Sequence, residues 1–568
     1  MGVNERLSPK QIKESGVHYT PPELARFLAS RMVCHIAGPR CIRVLDPACG
    51  EGGLLEALAL LLPPTIRAAS TFFGMENDAA ALKNAARRLN SIPDHPQFEF
   101  LHADFLDWTQ DFGQPQMFGA HTWPDSFDAV IANPPYVRTQ VMGGSSSQRI
   151  AARFGITGRV DLYHAFALAM TSVLRDGGVL GLLCSNRFLS VQSGATLRRE
   201  LLRNYGLHEV FDLGDTKLFE ASVLPAIVIG TKRTVQEQHC RFTKVYEKHD
   251  SITEAVPAAS ILIAVESGAE GAVRVADRVF LIERGKLAAA DISEPWRVSS
   301  PKQDKWLTAV KSKAPLTFGD LVKIRVGIKT TADSVFIRDD WSELPAEMQP
   351  EPQVLRPLVS NDLAAQWWPL QAKRRPYVLY THTIENGRRI PIDLRQLPRA
   401  GRYLEAHRAQ LEARRYVIDA GRQWYEIWVP QQPSAWPQPK VVFPDISQTP
   451  RFFLDQTGSI VDGNCYWFTA NQTEHLYLLL AIANSTFILR FYDMVCGNKL
   501  YAGRRRFITQ YVERFPVPEP ESAVAKHIVA RTRFLYELPP FSERANTVIS
   551  EVDSLVWEAC SLVEKIAG

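Results

Sequence analysis

The densest chemistry in the sequence lies at Asn133-Pro134-Pro135-Tyr136, directly after the apolar run Phe127–Ala132. Two consecutive prolines end a strand and stiffen the backbone beyond it, because neither offers an N–H and each fixes φ. The Asn133 side-chain oxygen and the Pro134 carbonyl are then two acceptors able to converge on one amino group. An amine conjugated with an aromatic ring is a poor nucleophile. Drawing both its hydrogens out of the ring plane localises the lone pair and prepares it to attack a methyl group. Tyr136 offers a face for that ring to stack on, worth about 1–3 kcal/mol per base.

A second group of residues runs Val44-Leu45-Asp46-Pro47-Ala48-Cys49-Gly50-Glu51-Gly52-Gly53. A strand entering glycines and then a helix is a ligand-binding turn, since missing side chains let backbone N–H groups approach. The full G-x-G-x-x-G spacing is absent, which disfavours a dinucleotide, and so is the Gly-Lys-Ser/Thr ending of a triphosphate loop. Asp46 at the strand end suits a ligand amino group, and Glu76, after the next strand, suits a ribose diol. A third segment, Gly16-Val17-His18-Tyr19-Thr20-Pro21-Pro22-Glu23, reads as a helix start. Thr20 is its N-cap, Pro21 its first helical residue and Glu23 its capping-box acid.

Alternating strands and helices must position these residues. Strands are expected at 41–45, 71–75, 98–101, 127–132, 179–184, 209–211 and 226–229, with helices at 54–62, 79–89 and 162–174, the last ended by Asp176-Gly177-Gly178. Strands separated by crossover helices imply a mostly parallel, doubly wound α/β sheet covered on both faces. The regularity stops near 235. Residues 1–235 read as the catalytic domain, 236–314 as a connector with some sheet and 315–518 as a mixed α/β domain rich in Trp, Tyr, Pro and Arg. Residues 519–568 read as a helical tail, and Gly143–Ser147 as a mobile loop able to order over substrate.

Composition sets outer bounds. With 568 residues, 46% hydrophobic and 22% charged, the chain has material for more than one core, which excludes wholesale disorder. A net charge of +4 is too small to diagnose a nucleic-acid partner, so any basic surface must be local. Eight scattered cysteines without C-x-x-C and thirteen histidines without H-E-x-x-H give no metal-ligand pattern, and suit reduced thiols in a cytoplasm. No signal core and no membrane span is expected.

The order His-Tyr-Thr-Pro, Asp-Pro-Ala-Cys-Gly-Glu-Gly, Asn-Pro-Pro-Tyr, then a long C-terminal region, resembles the TaqI-like (γ-type) N6-adenine DNA methyltransferases of restriction–modification systems. The likeness extends to Val326-Gly327-Ile328-Lys329 and Ala483-Asn484-Ser485. It implies an S-adenosylmethionine-dependent methyltransferase fold joined to a target-recognition domain, with adenine flipped out of double-stranded DNA. Carried over by motif, Thr20, Asp46, Ala48 and Gly50 belong to the methionine end of the cofactor site. Glu76 belongs to the ribose, Asp104 and Phe105 to the adenine, and Phe166 to the pocket wall. Asn133, Pro134, Pro135 and Tyr136 form the catalytic corner, and Phe219 the second aromatic that sandwiches the target base. Glu51 and Ser185-Asn186 depart from the usual pattern.

Extruding a base costs a few kcal/mol, which stacking and the amino-group contacts must offset. Cations must grip the duplex, and the sequence offers Lys373-Arg374-Arg375, Arg388-Arg389, Arg414-Arg415 and Arg504-Arg505-Arg506. Trp367, Trp368, Tyr377, Trp424 and Tyr501 are interleaved with them, and Arg504–Arg506 are expected on the DNA side. Without a Pro-Asp…Glu/Asp-x-Lys pattern, the cognate nuclease is expected as a separate protein beside a monomeric methylase. The competing readings are N4-cytosine or RNA methylation, methylation of a protein glutamine, and a non-catalytic DNA-binding subunit of a defence complex.

Overall fold

A computed structural model describes residues 20–36, 41–110, 123–136, 144–155, 161–218, 224–232, 240–248, 254–288, 295–371, 375–496, 500 and 503–561. The chain divides into two compact units, Met1–Ser300 with Leu500–Gly503, and Pro301–Lys499 with Arg504–Gly568.

The first unit is built on one sheet of β1 (Arg43–Asp46), β2 (Thr71–Glu76), β3 (Gln97–His102), β4 (Phe127–Ala132), β5 (Leu174–Ser185), β6 (Tyr205–Asp212), β7 (Pro225–Lys232), β8 (Arg241–Lys248), β9 (Val256–Pro257), β10 (Gly271–Val275), β11 (Arg278–Ala288) and β12 (Arg297–Ser299). Their order is β3-β2-β1-β4-β5-β7-β6-β8-β11-β10-β9, with β12 on β11. Strands β3, β2, β1, β4 and β5 run parallel. β7 is antiparallel to both β5 and β6.

Alternation along each parallel strand builds two cores. Leu45, Phe73, Val130 and Leu180 face a cluster with Phe166 and Met170. Val44, Phe72, Ala129 and Ile131 face another with Leu28, Leu55 and Leu58. Burying each large apolar chain contributes about 1.5–3 kcal/mol, so both faces must be covered and every strand end is driven to an edge. This is the doubly wound architecture expected from the sequence.

Residues 236–314 are not a connector. β8 pairs parallel with β6 and β11 pairs antiparallel with β8, so this segment extends the sheet to Ser299. The helix Pro301–Lys313 already belongs to the second unit. The helix after residue 161 spans Tyr163–Val173 and passes directly into β5, so Asp176-Gly177-Gly178 lies within the strand, with Gly177 at φ 76°. Residues 144–147 open a helix, Gly144–Phe154, rather than a loop; Met142 and Gly143 lie outside the described residues.

The second unit holds small sheets, among them Arg325–Val326, Lys440–Pro444, Phe453–Asp455 and Cys465–Phe468. Its largest core also takes in the C-terminal helices Ala523–Leu535 and Glu543–Cys560 through Ile528, Leu535, Val548, Val552 and Val556. The 545, 548, 552, 556 spacing is one helical stripe, so the described part of 519–568 is core rather than tail. All eight cysteines are free, and no single helix among the described residues is long and apolar enough to cross a membrane.

Candidate active site at the carboxyl edge of the sheet

Asp46 closes β1 at 1% exposure. One carboxylate oxygen accepts from the Ala48 N–H at 3.1 Å. The other is buried with no hydrogen-bond partner. Burial, with Glu76 nearby as a like charge, pushes this carboxyl up to about 8. An unpartnered buried acceptor at a strand end fits a ligand ammonium, whose charge would let the carboxyl ionise.

Beyond Asp46 the chain turns through Gly50 at φ 51° and Gly52 at φ 81°, the N-cap of the helix Gly53–Leu61. A Cβ on Gly52 would lie 2.9 Å from the Leu89 side chain, so close packing and the left-handed backbone both require glycine. Glu76, at the end of β2, holds this turn. Its Oε2 accepts from the Gly50 N–H at 2.9 Å, and its Oε1 from the Asn77 and Asp78 N–H groups at 2.9 and 3.0 Å. Glu51 accepts from Asn84 Nδ2 at 3.0 Å, which accounts for an acid in the glycine turn: it tethers the turn to the helix Ala79–Leu89.

Asp104, just beyond β3, caps the short helix Phe105–Trp108 through the Leu106 and Asp107 N–H groups. Phe105 is buried with its ring 5.4 Å from that of Phe166, so two residues assigned separately to the cofactor pocket share one aromatic wall.

The Asn133 corner lies just past β4. Asn133 Nδ2 donates to Thr20 Oγ1 at 3.0 Å, and the Tyr136 hydroxyl donates to Asn133 Oδ1 at 2.6 Å. These contacts assign the amide orientation. Thr20 is therefore not a helix cap: Pro21 occupies that position, without a side-chain cap bond, and the helix begins at Pro22. Burial raises the Tyr136 phenol well above its ordinary value, so it stays a neutral donor. Its ring lies edge-on to Tyr163 at 6.3 Å. Tyr163 is absent from the residues expected at the site, although its i,i+3 spacing from Phe166 places both on one helix face.

Asn186, a departure from the pattern of the resemblance, has a visible role. Its Nδ2 donates to Asp212 Oδ1 at 2.8 Å, and the Tyr246 hydroxyl donates to Asp212 Oδ2 at 2.7 Å. Burial raises the Asp212 carboxyl, and these donors satisfy it at the end of β6. The misread connector contributes here too. Arg278 on β11 donates to the Asp215 and Thr216 carbonyls while paired with Glu247 at 2.7 Å, fixing the chain that leads towards Phe219. Phe219 itself lies outside the described residues.

The expected DNA cations separate sharply. Arg505 is bidentate to Asp493 at 2.7 and 2.8 Å, and Arg506 to Asp445 at 3.1 and 2.8 Å, so two of the three arginines expected on the DNA side are neutralised internally. Arg414 is buried and donates to the Thr330 and Trp424 carbonyls. Trp367 and Trp368 are core residues. Arg388, Arg389, Arg415 and Arg504 are exposed, while Lys373, Arg374 and Tyr501 lie outside the described residues.

Residues 70–219 match the Eco57I restriction-modification methylase family, and residues 386–517 match the TaqI-like C-terminal specificity domain. The chain is 40% identical over 567 residues to the Type II methyltransferase M.BanIII of Aneurinibacillus aneurinilyticus, covering 97% of each. It is 26% identical over 509 residues to the Type II methyltransferase M.BstVI of Geobacillus stearothermophilus, covering 84% of this chain and 85% of the relative. The solved DrdV–DNA complex shares the fold, with a TM-score of 0.54 and 11% identity over 95% of this chain and 61% of that one. Near full-length identity at this level, with a methylase and a specificity match in the same order, means that the chain belongs to the Type II DNA methyltransferases of restriction–modification systems.

Proposed function

We propose that this chain methylates the N6 amino group of adenine in double-stranded DNA, flipping the base from the helix and using S-adenosylmethionine as donor. The observation carrying the reading is the Asn133 amide, held by Thr20 and Tyr136 at a strand end, on the same sheet edge as the unpartnered Asp46 oxygen. When bound, the donor supplies an electrophilic methyl on a sulfonium and leaves as a neutral thioether. Asp46 receives its ammonium, the Glu76 edge its ribose hydroxyls, and the Asp104, Phe105 and Phe166 wall its adenine. Thr20, which accepts from Asn133, has its own hydroxyl proton to donate to the donor's carboxylate.

The chain's part in the chemistry is alignment. Asn133 Oδ1 and the Pro134 carbonyl accept the two N6 hydrogens, turning the nitrogen lone pair towards the methyl, and stabilise the positive charge that develops on nitrogen. The Nδ2 donation to Thr20 fixes which end of the amide is the acceptor, leaving Oδ1 to take an N6 hydrogen beside the Tyr136 hydroxyl. Tyr136, and Phe219 from the opposite side, hold the flipped ring. Direct displacement needs no covalent enzyme intermediate, and the methylated nitrogen then gives up one of its hydrogens as a proton to solvent. The protein acts as a cytoplasmic monomer, protecting host DNA against a separate endonuclease.

The test is nucleoside mass spectrometry of duplex DNA incubated with the purified chain and donor. N6-methyladenine is the expected product. N4-methylcytosine, or label confined to RNA or polypeptide, overturns the reading.

A further inference from the structure

With Arg414, Arg505 and Arg506 committed internally, Arg388 and Arg389 stand out on an element of unusual shape. His382–Glu385 and Arg388–Pro391 form an isolated antiparallel ribbon. Its turn is Asn386-Gly387, with both residues at positive φ, 49° and 72°. That is the backbone of a tight two-residue hairpin turn, which fixes strand twist and register. Residues 383–389 are all exposed.

The base of the ribbon is fastened. His382 is buried and its Nε2 sits 3.1 Å from Glu426. Arg389 donates to the Gln431 carbonyl at 2.9 Å, and the Tyr425 hydroxyl to the Ile392 carbonyl at 2.9 Å. Alternation puts His382, Ile384 and Arg389 on the anchored face, and Thr383, Glu385 and Arg388 on the outward one. Glu385 and Arg388 are direct cross-strand partners at the tip. The specificity-domain match begins at this turn, at residue 386.

We infer that this hairpin enters the major groove of duplex DNA and reads a G·C-containing step through Arg388 and Glu385. The inference rests on the proposed methylation of DNA. The three strand residues beyond the buried His382 project about 10 Å, more than the groove's depth of about 8.5 Å, and a two-stranded ribbon fits its width of about 12 Å. A carboxylate at a DNA-facing tip is repelled by phosphates unless it accepts a hydrogen bond from a base. Glu385 suits the cytosine N4 amine, and Arg388 the paired acceptors of guanine. A tip that met only phosphate would gain from cations at both positions.

Arg388→Ala and Glu385→Gln are assayed for methyl transfer on a randomised duplex library and on a salt series, with melting temperature and cofactor affinity checked in parallel. Both variants are expected to fold and bind cofactor as the parent does. Each is expected to lose about 5- to 100-fold of discrimination at one and the same G·C position. Unchanged discrimination in both variants overturns the inference. So does a uniform loss across all sequences with a shallower salt slope, which marks phosphate contact alone. Failure of the parent chain to label any duplex would instead defeat the proposed function.

Discussion

At the carboxyl edge of the sheet, Asp46 ends β1 with one carboxylate oxygen buried and unpartnered, while in the second unit Arg506 is bidentate to Asp445 and Arg505 to Asp493. The first region leaves an acceptor unsatisfied at a place where burial costs free energy. The second spends its charges on itself. A buried carboxylate oxygen left without a partner at a strand's carboxyl end, beside a glycine turn, suits a ligand ammonium, whereas an arginine among aromatics points to nothing until its partners are known. Reactive capacity here comes from what a side chain lacks rather than from its type.

Removing the acceptor that orients the Asn133 amide breaks the comparison hardest. Thr20→Val keeps the shape but removes the hydroxyl that accepts from Asn133 Nδ2, and methyl transfer should fall about 10- to 100-fold. Thr20→Ser should restore most of it, and single-turnover rates check both. An unchanged rate in Thr20→Val would make the contact incidental.

Asp46 offers a pH test. Its carboxyl is held up to about 8, so at lower pH it must lose a proton to meet a ligand ammonium. Cofactor affinity should therefore tighten several-fold from pH 6 to pH 8 and be weaker and flat in Asp46→Asn, as read by calorimetric titration. The sign for stability is opposite. The folded carboxyl binds its proton more tightly than the unfolded one, so ligand-free stability should decline as pH rises from about 4 to about 8. Asp46→Asn should lose that slope in thermal melts.

The smallest effect sharpens the other side. Arg506→Ala should cost about 1 kcal/mol of stability, because the pair with Asp445 is partly solvated, and should leave the salt dependence of DNA binding unchanged. A shallower salt slope would return Arg506 to the DNA surface.

The edge was legible because its information is local. Asp46, the glycine turn and Asn133-Pro134-Pro135-Tyr136 each sit where a strand ends, and the strand ends of β1 to β7 can be read from apolar runs. Thr20 misled because a Thr-Pro-Pro-Glu string reads as a cap, while its actual partner is 113 residues away. Arg505 and Arg506 misled similarly, since Asp445 lies 61 residues before Arg506. The sequence suggests only some sheet where β8 to β12 lie, because these strands join the sheet in mixed directions and with mixed burial. In β8, exposed Arg241 and half-buried Lys244, Glu247 and Lys248 interrupt any continuous apolar run.

The most direct measurement is the methyl-transfer rate of Asn133→Ala in a preformed complex with donor and duplex, beside a cofactor titration. The account predicts a rate lower by about 10²- to 10³-fold with cofactor affinity retained. A rate equal to that of the parent chain would contradict it.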